Sequence, residues 1–376
     1  MSTVLTDLRK QLDLVDDQIV DLLDKRFKIS DLVAKEKNAS NIPITNHQRE
    51  LEVISRTQNR AHHPALKQSI PSIYEQIISA NKSYRQFHRY NDFPFNKIGI
   101  LGLGMIGGSI IKGIKTKKPE ISIATLKRNS DNNSKAIQDH YIDIEYSSLS
   151  DLVKNVDLLI LAIPIESIIV ISNEIAKIQL KDKLIIIDVA STKGDISQLF
   201  ESLSNDTIEY IPTHPMAGSH NSGFEHAQPE LFINQPWIVC EHNRNLQISI
   251  SKITSLITFL GSNPVYLDGI KHDEQVAIVS HLIFVISTYL FAYANLFPDT
   301  LKIAGSGFRS TTRLASGNVD MHTQISHYNF ENINRHIEGF IQFIEDHALS
   351  KNNLLDFFEL NKRRRDTYIK ETYENS

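Results

Sequence analysis

Leu5, Leu8, Leu12, Val15, Ile19 and Leu22 recur at alternating spacings of three and four, with mostly polar residues between them. That is the period of an apolar seam along one α-helix. Residues 3–42 contain neither proline nor glycine, so one long helix is predicted, ended by Pro43. Two shorter helical patterns follow, 46–63 and 65–89, divided by Pro64. From Lys97 the pattern changes to apolar runs alternating with helical stretches: KIGILGLG, ISIAT, VDLLILAIP, KLIIIDVAS and IEYIPTHP. Near-continuous apolar strands of this kind predict a parallel sheet covered by helices on both faces. After about Gly269 the strand signals stop, and DEQVAIVSHLIFVISTYLFAYANLF and the segment from Glu331 onward read as long helices. The first is so apolar that burial on several sides is expected, with a dimer interface as its natural use.

Glycine placement sharpens the division. All 15 glycines lie at position 99 or beyond, so the first 98 residues lack the residue that tight positive-φ turns prefer and should be helical throughout. YNDFPFN, 90–96, is the expected linker. Three domains are predicted: an all-α segment 1–90, an α/β segment 97–268 and an all-α segment 269–376. With 41% apolar residues in 376, each can bury a core. The 44 acidic and 40 basic residues form no like-charge block, which argues against nucleic acid or an anionic membrane as partner. Cys240 is the only cysteine, so a disulfide framework within the chain is excluded and a reducing cytoplasm fits. The N-terminus is charged from Asp7 onward and no run of 18 uncharged apolar residues is read, so neither secretion nor membrane spanning is expected.

Extending the seam by sevens from Leu5, Leu12 and Ile19 reaches Arg26. A guanidinium in a core position needs a carboxylate, either from a side chain or from an anionic ligand. Lys37 lies 11 residues on and about 20° from the same face, whereas Arg9, 17 residues before Arg26, points roughly 100° away. LRKQLDLVD, Arg26, Lys37, the IPITNHQRE stretch with Arg49 and Glu50, and Gln86 together resemble the all-helical chorismate mutase family over residues 1–90. The resemblance implies an intertwined dimer in which Arg26, Arg49 and a partner-supplied Arg9 hold the substrate carboxylates. Lys37 and Gln86 would bond the ether oxygen and Glu50 the hydroxyl. Asn46 and Lys82 depart from the family pattern, where an aspartate and a serine are common, so an inactive regulatory module stays open as an alternative.

GILGLGMIGGS, 99–109, spaces Gly102, Gly104 and Gly107 as GxGxxG between a strand and a helix, with Met105 and Ile106 opening that helix. In this context the glycines allow the turn, the approach of a pyrophosphate and the packing of helix on strand, so a Rossmann dinucleotide-binding domain is predicted. About 20 residues on, where an acidic residue would take a ribose 2′-hydroxyl, stand Lys127 and Arg128. Cations there favour NADP, with NAD kept open.

DVASTKG, THPMAGSHNSGFEHA, SHL at 280–282 and GSGFRSTTRLA at 305–315 follow in that order. Together they resemble the prephenate dehydrogenase family across residues 97–376, and the whole chain resembles its bifunctional members joined to a chorismate mutase. The resemblance makes His214 the catalytic histidine, Ser191 the serine contacting it, His281 a substrate-side histidine and Arg313 the grip on a substrate carboxylate. Gly305 and Phe308 would shape the same pocket. His220 stands where that family often has an acidic residue. Imidazole suits the chemistry, since an alcohol losing hydride must also lose its hydroxyl proton near pH 7. The expected substrates are chorismate and prephenate, with arogenate kept open beside prephenate, in a homodimer. A β-hydroxyacid dehydrogenase is the alternative, though its usual helical lysine base is not marked here.

Overall fold

The computed structural model describes residues 3–39, 47–88, 93–127, 131–218, 223–347 and 353–370. The chain divides into two compact units, Met1–Gln86 with Leu349–Ser376, and Phe87–Ala348. The first contains α1 (Thr3–Ala39) and α2 (His47–Arg60), together with most of α3 (Pro64–His88), close to where the seam and the prolines place them. Leu5, Leu8, Leu12, Val15, Ile19 and Leu22 stay exposed in the single chain. A contiguous apolar stripe of this length marks an interaction face.

The second unit opens with β1 (Lys97–Leu101), α4 (Met105–Lys117), β2 (Ser122–Leu126), α5 (Asp131–Gln138), β3 (Ile144–Tyr146) and α6 (Leu149–Lys154). It continues with β4 (Leu158–Leu161), α7 (Ile165–Ile175), β5 (Leu184–Asp188), α8 (Gly194–Leu203) and β6 (Ile208–Ile211). These six strands form one parallel sheet in the order β3-β2-β1-β4-β5-β6. Strand alternation explains why the runs are apolar throughout: Leu158, Ile160, Ile185 and Ile187 enter one core, while Leu159, Leu161, Leu184 and Ile186 enter the core on the other face. Strand order reverses between β1 and β4, which opens a crevice beyond their carboxyl ends.

IEYIPTHP is not one strand. The run is cut at Pro212, which has no N–H for a ladder, and Thr213–Pro215 becomes a separate strand, β7. It pairs antiparallel with β8 (Pro236–Cys240). After α9 (Gln247–Phe259), β9 (Asn263–Leu267) joins β8 in parallel. This three-stranded sheet was not foreseen from sequence. Asp268 then caps α10 (Gly269–Val276), its Oδ1 accepting the Lys271 N–H at 2.9 Å.

A π-helical turn (Ala277–His281) links α10 to α11 (Leu282–Ala294). There follow α12 (Pro298–Leu301), α13 (Ser306–Thr312), a 3-10 turn (Arg313–Ser316), α14 (Val319–Tyr328) and α15 (Phe330–Asp346). The last helix, α16 (Leu354–Ile369), falls in the first unit. The burial expected of the apolar run is not met within one chain, since Tyr289, Tyr293 and Leu296 are 65–71% exposed. By length and composition alone, Gly269–Ala294 would cross a membrane. Inside the fold, however, Ser287 Oγ accepts the Ala315 N–H at 3.2 Å, and His272, Asp273 and His281 meet at the site described next.

Candidate active site

The glycine turn fits a dinucleotide. Gly102 has φ +98°, and a Cβ there would stand 2.0 Å from the Ala162 carbonyl oxygen, so only glycine serves. A Cβ on Gly107 would meet the Gly102 oxygen at 2.0 Å, which explains how closely α4 packs on the turn. Nothing lies within 4 Å of a Cβ built on Gly104; that side is open for a phosphate to approach the start of α4. Met105 and Ile106 form its first turn. A cavity of about 280 Å³ runs across the carboxyl ends of β1, β2 and β4, lined by Gly102, Gly104, Thr125, Asn133, Ala162 and Pro164 among others. Asn133, whose amide reaches the Leu126 oxygen at 3.3 Å, was missed because its signal lies only in tertiary proximity. Lys127 follows β2 and is exposed. Arg128 and His220 lie outside the described residues.

His214 sits on β7 and is buried. Its strand leads back to the glycine turn, for a Cβ on Gly218 would lie 3.8 Å from Met105 Cε. His214 Nδ1 is 2.9 Å from His272 Nε2, and His272 Nδ1 is 2.7 Å from Asp273 Oδ1. The sheet makes this meeting: β7 pairs with β8, β8 with β9, and Asp268 turns the chain from β9 into α10, which carries His272. Asp273 is itself held, with Oδ1 accepting the Lys193 N–H at 2.6 Å and Oδ2 the Gly194 N–H at 2.7 Å. Lys193 Nζ lies 2.5 Å from Asp188 Oδ2 in a fully buried pair, while Asp188 Oδ1 accepts the N–H of Thr213 beside His214. Burial holds the His214 imidazole well below its ordinary pKa, reinforced by His272, Lys193 and His281. It is therefore neutral at pH 7. His214 Nε2 makes no hydrogen bond among the described residues.

His281, on the π turn, accepts the Asn329 amide at Nδ1, 3.1 Å, and the same amide donates to the Asp273 carbonyl at 2.8 Å. Its other nitrogen, Nε2, is buried with no partner among the described residues. Burial lowers its pKa to about 4. Ser191 is half-buried on the loop before α8, and no hydrogen bond joins it to His214. Arg313 opens the 3-10 turn and lines a different cavity, about 490 Å³, with Phe291, Arg309, Thr312, Ala315 and Ser316. Phe308 packs near it, its ring 6.3 Å from that of Phe291. Gly305 caps α13 with open space at its Cβ position. The structure thus gathers His214, His272, Asp273, Lys193 and His281. Arg313 and Phe308 both lie beside Phe291. His272, Asp273 and Lys193 were missed by sequence reasoning, although HDE inside an otherwise apolar helical run was a usable signal.

In the helical unit, Arg26 is half-buried and its Nη1 is buried with no partner among the described residues. A guanidinium so placed is suited to an anionic ligand. Arg49 is exposed and pairs with Glu52 at 2.9 Å; Arg9 is exposed on α1. The backbones of Lys37, Glu50 and Gln86 fall on α1, α2 and α3, and their side chains lie outside the described residues.

Three family models match the chain: "Chorismate mutase type II" over residues 8–86, "Prephenate dehydrogenase, nucleotide-binding domain" over 110–265, and "Prephenate dehydrogenase, dimerization domain" over 268–359. A prephenate dehydrogenase of Lactococcus lactis subsp. cremoris is 33% identical over 261 residues, covering 67% of this chain and 70% of that protein. One of Bacillus subtilis is 28% identical, covering 71% and 74%. Among solved structures, prephenate dehydrogenase of Aquifex aeolicus with hydroxyphenyl propionate and NAD+ superposes with TM-score 0.63 at 24% identity, over 73% of this chain and 97% of that one. Synechocystis arogenate dehydrogenase gives TM-score 0.60 at 25% identity, over 72% and 99%.

Proposed function

This chain belongs to the prephenate dehydrogenase family and carries a chorismate mutase type II domain ahead of it, and on that premise we propose that its two catalytic units act in sequence toward tyrosine. The helical unit rearranges chorismate to prephenate. The second unit oxidatively decarboxylates prephenate to 4-hydroxyphenylpyruvate. The observation that carries the second step is a buried, neutral His214 whose Nδ1 is occupied and whose Nε2 is not.

In the second unit His214 Nε2 takes the proton of the substrate hydroxyl as the carbinol carbon gives up hydride. When bound, the dinucleotide supplies the hydride acceptor. Loss of the ring carboxylate as carbon dioxide leaves its electron pair in the ring, which becomes aromatic and makes the step irreversible. His281 Nε2, the nitrogen not engaged by Asn329, carries the proton and donates it in a hydrogen bond to a substrate oxygen. Arg313 binds a substrate carboxylate, with Gly305 and Phe308 shaping that end, and Ser191 orients the hydroxyl. Gly102, Gly104, Met105, Ile106 and Gly107 hold the dinucleotide pyrophosphate at α4, and Lys127 with Arg128 favours NADP over NAD.

The mutase step needs no nucleophile, only a compact substrate conformer and donors where negative charge gathers. Arg26, Arg49 and a partner's Arg9 hold the carboxylates, Lys37 and Gln86 serve the ether oxygen, and Glu50 the hydroxyl. The exposed seam of α1 and the exposed face of α11 are both covered in a homodimer. The working place is the cytoplasm, with small molecules and no nucleic acid or membrane as partners.

The test uses the full chain. His214→Asn should lose dinucleotide reduction with prephenate on the order of 10³-fold while chorismate consumption stays at the wild-type rate. Undiminished reduction removes His214 from the reaction; absent chorismate consumption in the wild type leaves the helical unit a binding module.

A further inference from the structure

The hydrogen-bond chain behind His214 determines which of its nitrogens carries the proton. Asp273 is a carboxylate receiving three donors, the Lys193 and Gly194 N–H groups and His272 Nδ1. An ionised carboxylate only accepts, so His272 Nδ1 is the N–H end of its ring. A neutral ring protonated at Nδ1 presents a bare lone pair at Nε2. That lone pair faces His214 Nδ1 at 2.9 Å, so His214 must donate from Nδ1.

We propose that His272 is a positioning residue: backed by Asp273, it holds His214 in the Nδ1–H form and leaves Nε2 as the nitrogen that receives the substrate proton. The proposal rests on His214 being the base. During the step the hydroxyl proton forms the Nε2–H bond and no proton leaves Nδ1. The imidazolium so created faces the His272 lone pair, with the Asp273 charge one ring further on. Without His272 in its neutral form the chain would run backwards: a protonated His272 would donate from Nε2, His214 would accept at Nδ1, and its Nε2 would already hold a proton. Burial opposes that state, for His272 has no exposed surface and its pKa is lowered by desolvation. The other charged or titratable groups acting on the pair are Lys193, Asp188 and His281; the Lys193 cation also disfavours an added proton, while Asp188, already paired with Lys193, favours one on His272. Asn329 ties the π turn to the Asp273 carbonyl, so the helix bearing His272 is fixed from two sides.

Two variants of the full chain test it. His272→Leu removes the acceptor and should lower kcat for prephenate oxidation on the order of 10²-fold with KM within about threefold, while chorismate consumption is unchanged. His272→Gln can place an amide oxygen where Nε2 stood and should recover most of that loss. In wild-type protein labelled with ¹⁵N at histidine, the resonances missing from His214→Asn should report a protonated Nδ1 and a bare Nε2. A His272→Leu kcat within about threefold of wild type overturns the proposal, as does a wild-type His214 protonated at Nε2. Should His272→Leu fail to fold, the ring resonances of the wild type decide. The reading beneath it fails by a different result, namely His214→Asn retaining dinucleotide reduction.

Discussion

Lys193 Nζ and Asp188 Oδ2 lie 2.5 Å apart with no exposed surface on either side chain. The pair sits directly beneath the strand that bears His214, because Asp188 also accepts the Thr213 N–H at 3.1 Å and its carbonyl accepts the Thr213 hydroxyl at 2.5 Å. Removing one partner strands a buried charge. Lys193→Met should therefore cost about 3–5 kcal/mol, read as a fall in thermal midpoint, and Lys193→Met with Asp188→Asn should regain most of it. A single variant as stable as the double would show that the carboxylate does not depend on its cation.

Stability should also fall on acidification, through the buried histidines. His281 has its pKa lowered from 6.5 to about 4 in the fold by burial, and His214 and His272 move in the same direction. Each binds a proton more readily when unfolded. Their contribution is complete above the ordinary histidine value and is lost as pH falls from there toward the folded value, by about 3 kcal/mol at most for His281. Urea midpoints at pH 7.5, 6.5 and 5 should decline in order, and His281→Asn should flatten the decline. A midpoint constant across that range would contradict the burial of these rings.

Cofactor choice should turn on Lys127. It stands exposed just after β2, where a dinucleotide fold reads the ribose 2′ position. Lys127→Glu should raise KM for NADP relative to NAD by roughly 10-fold or more, measured with prephenate saturating. An unchanged ratio of the two KM values would assign the residue to solvent alone.

Arg26 should trade stability against function. Its buried Nη1, without a partner among the described residues, carries desolvation cost. Arg26→Met should lower chorismate turnover on the order of 10²-fold yet leave the helical unit at least as stable as wild type. Lower stability together with intact turnover would make Arg26 structural.

Some of this was legible beforehand because it is written in local period. The three-and-four spacing from Leu5 to Leu22 is a helix whatever surrounds it, and Leu158–Leu161 and Leu184–Ile187 are apolar on both faces only because both faces are covered. Gly102 belongs to the same class, since a turn of φ +98° admits little else. The sheet of β7, β8 and β9 was not visible. β7 ends at Pro215, β8 begins at Pro236 and β9 has Pro264 as its second residue, and runs of three to five residues so punctuated resemble loops when read alone.

Amino-acid order alone therefore determined the three helices, the parallel sheet and the glycine turn, because each is a property of neighbours along the chain, while His214 as the candidate base came from the family resemblance. Only tertiary structure decided what stands behind that base. His214 and His272 are 58 residues apart, and they meet because three strands pair edge to edge and a capped helix turns back beside them. It also decided that Arg313 lines a cavity with Phe291 and Arg309 and that the apolar faces of α1 and α11 stay uncovered within one chain. Hydrogen-bond geometry and burial are relations between distant segments, and no spacing in one dimension encodes them.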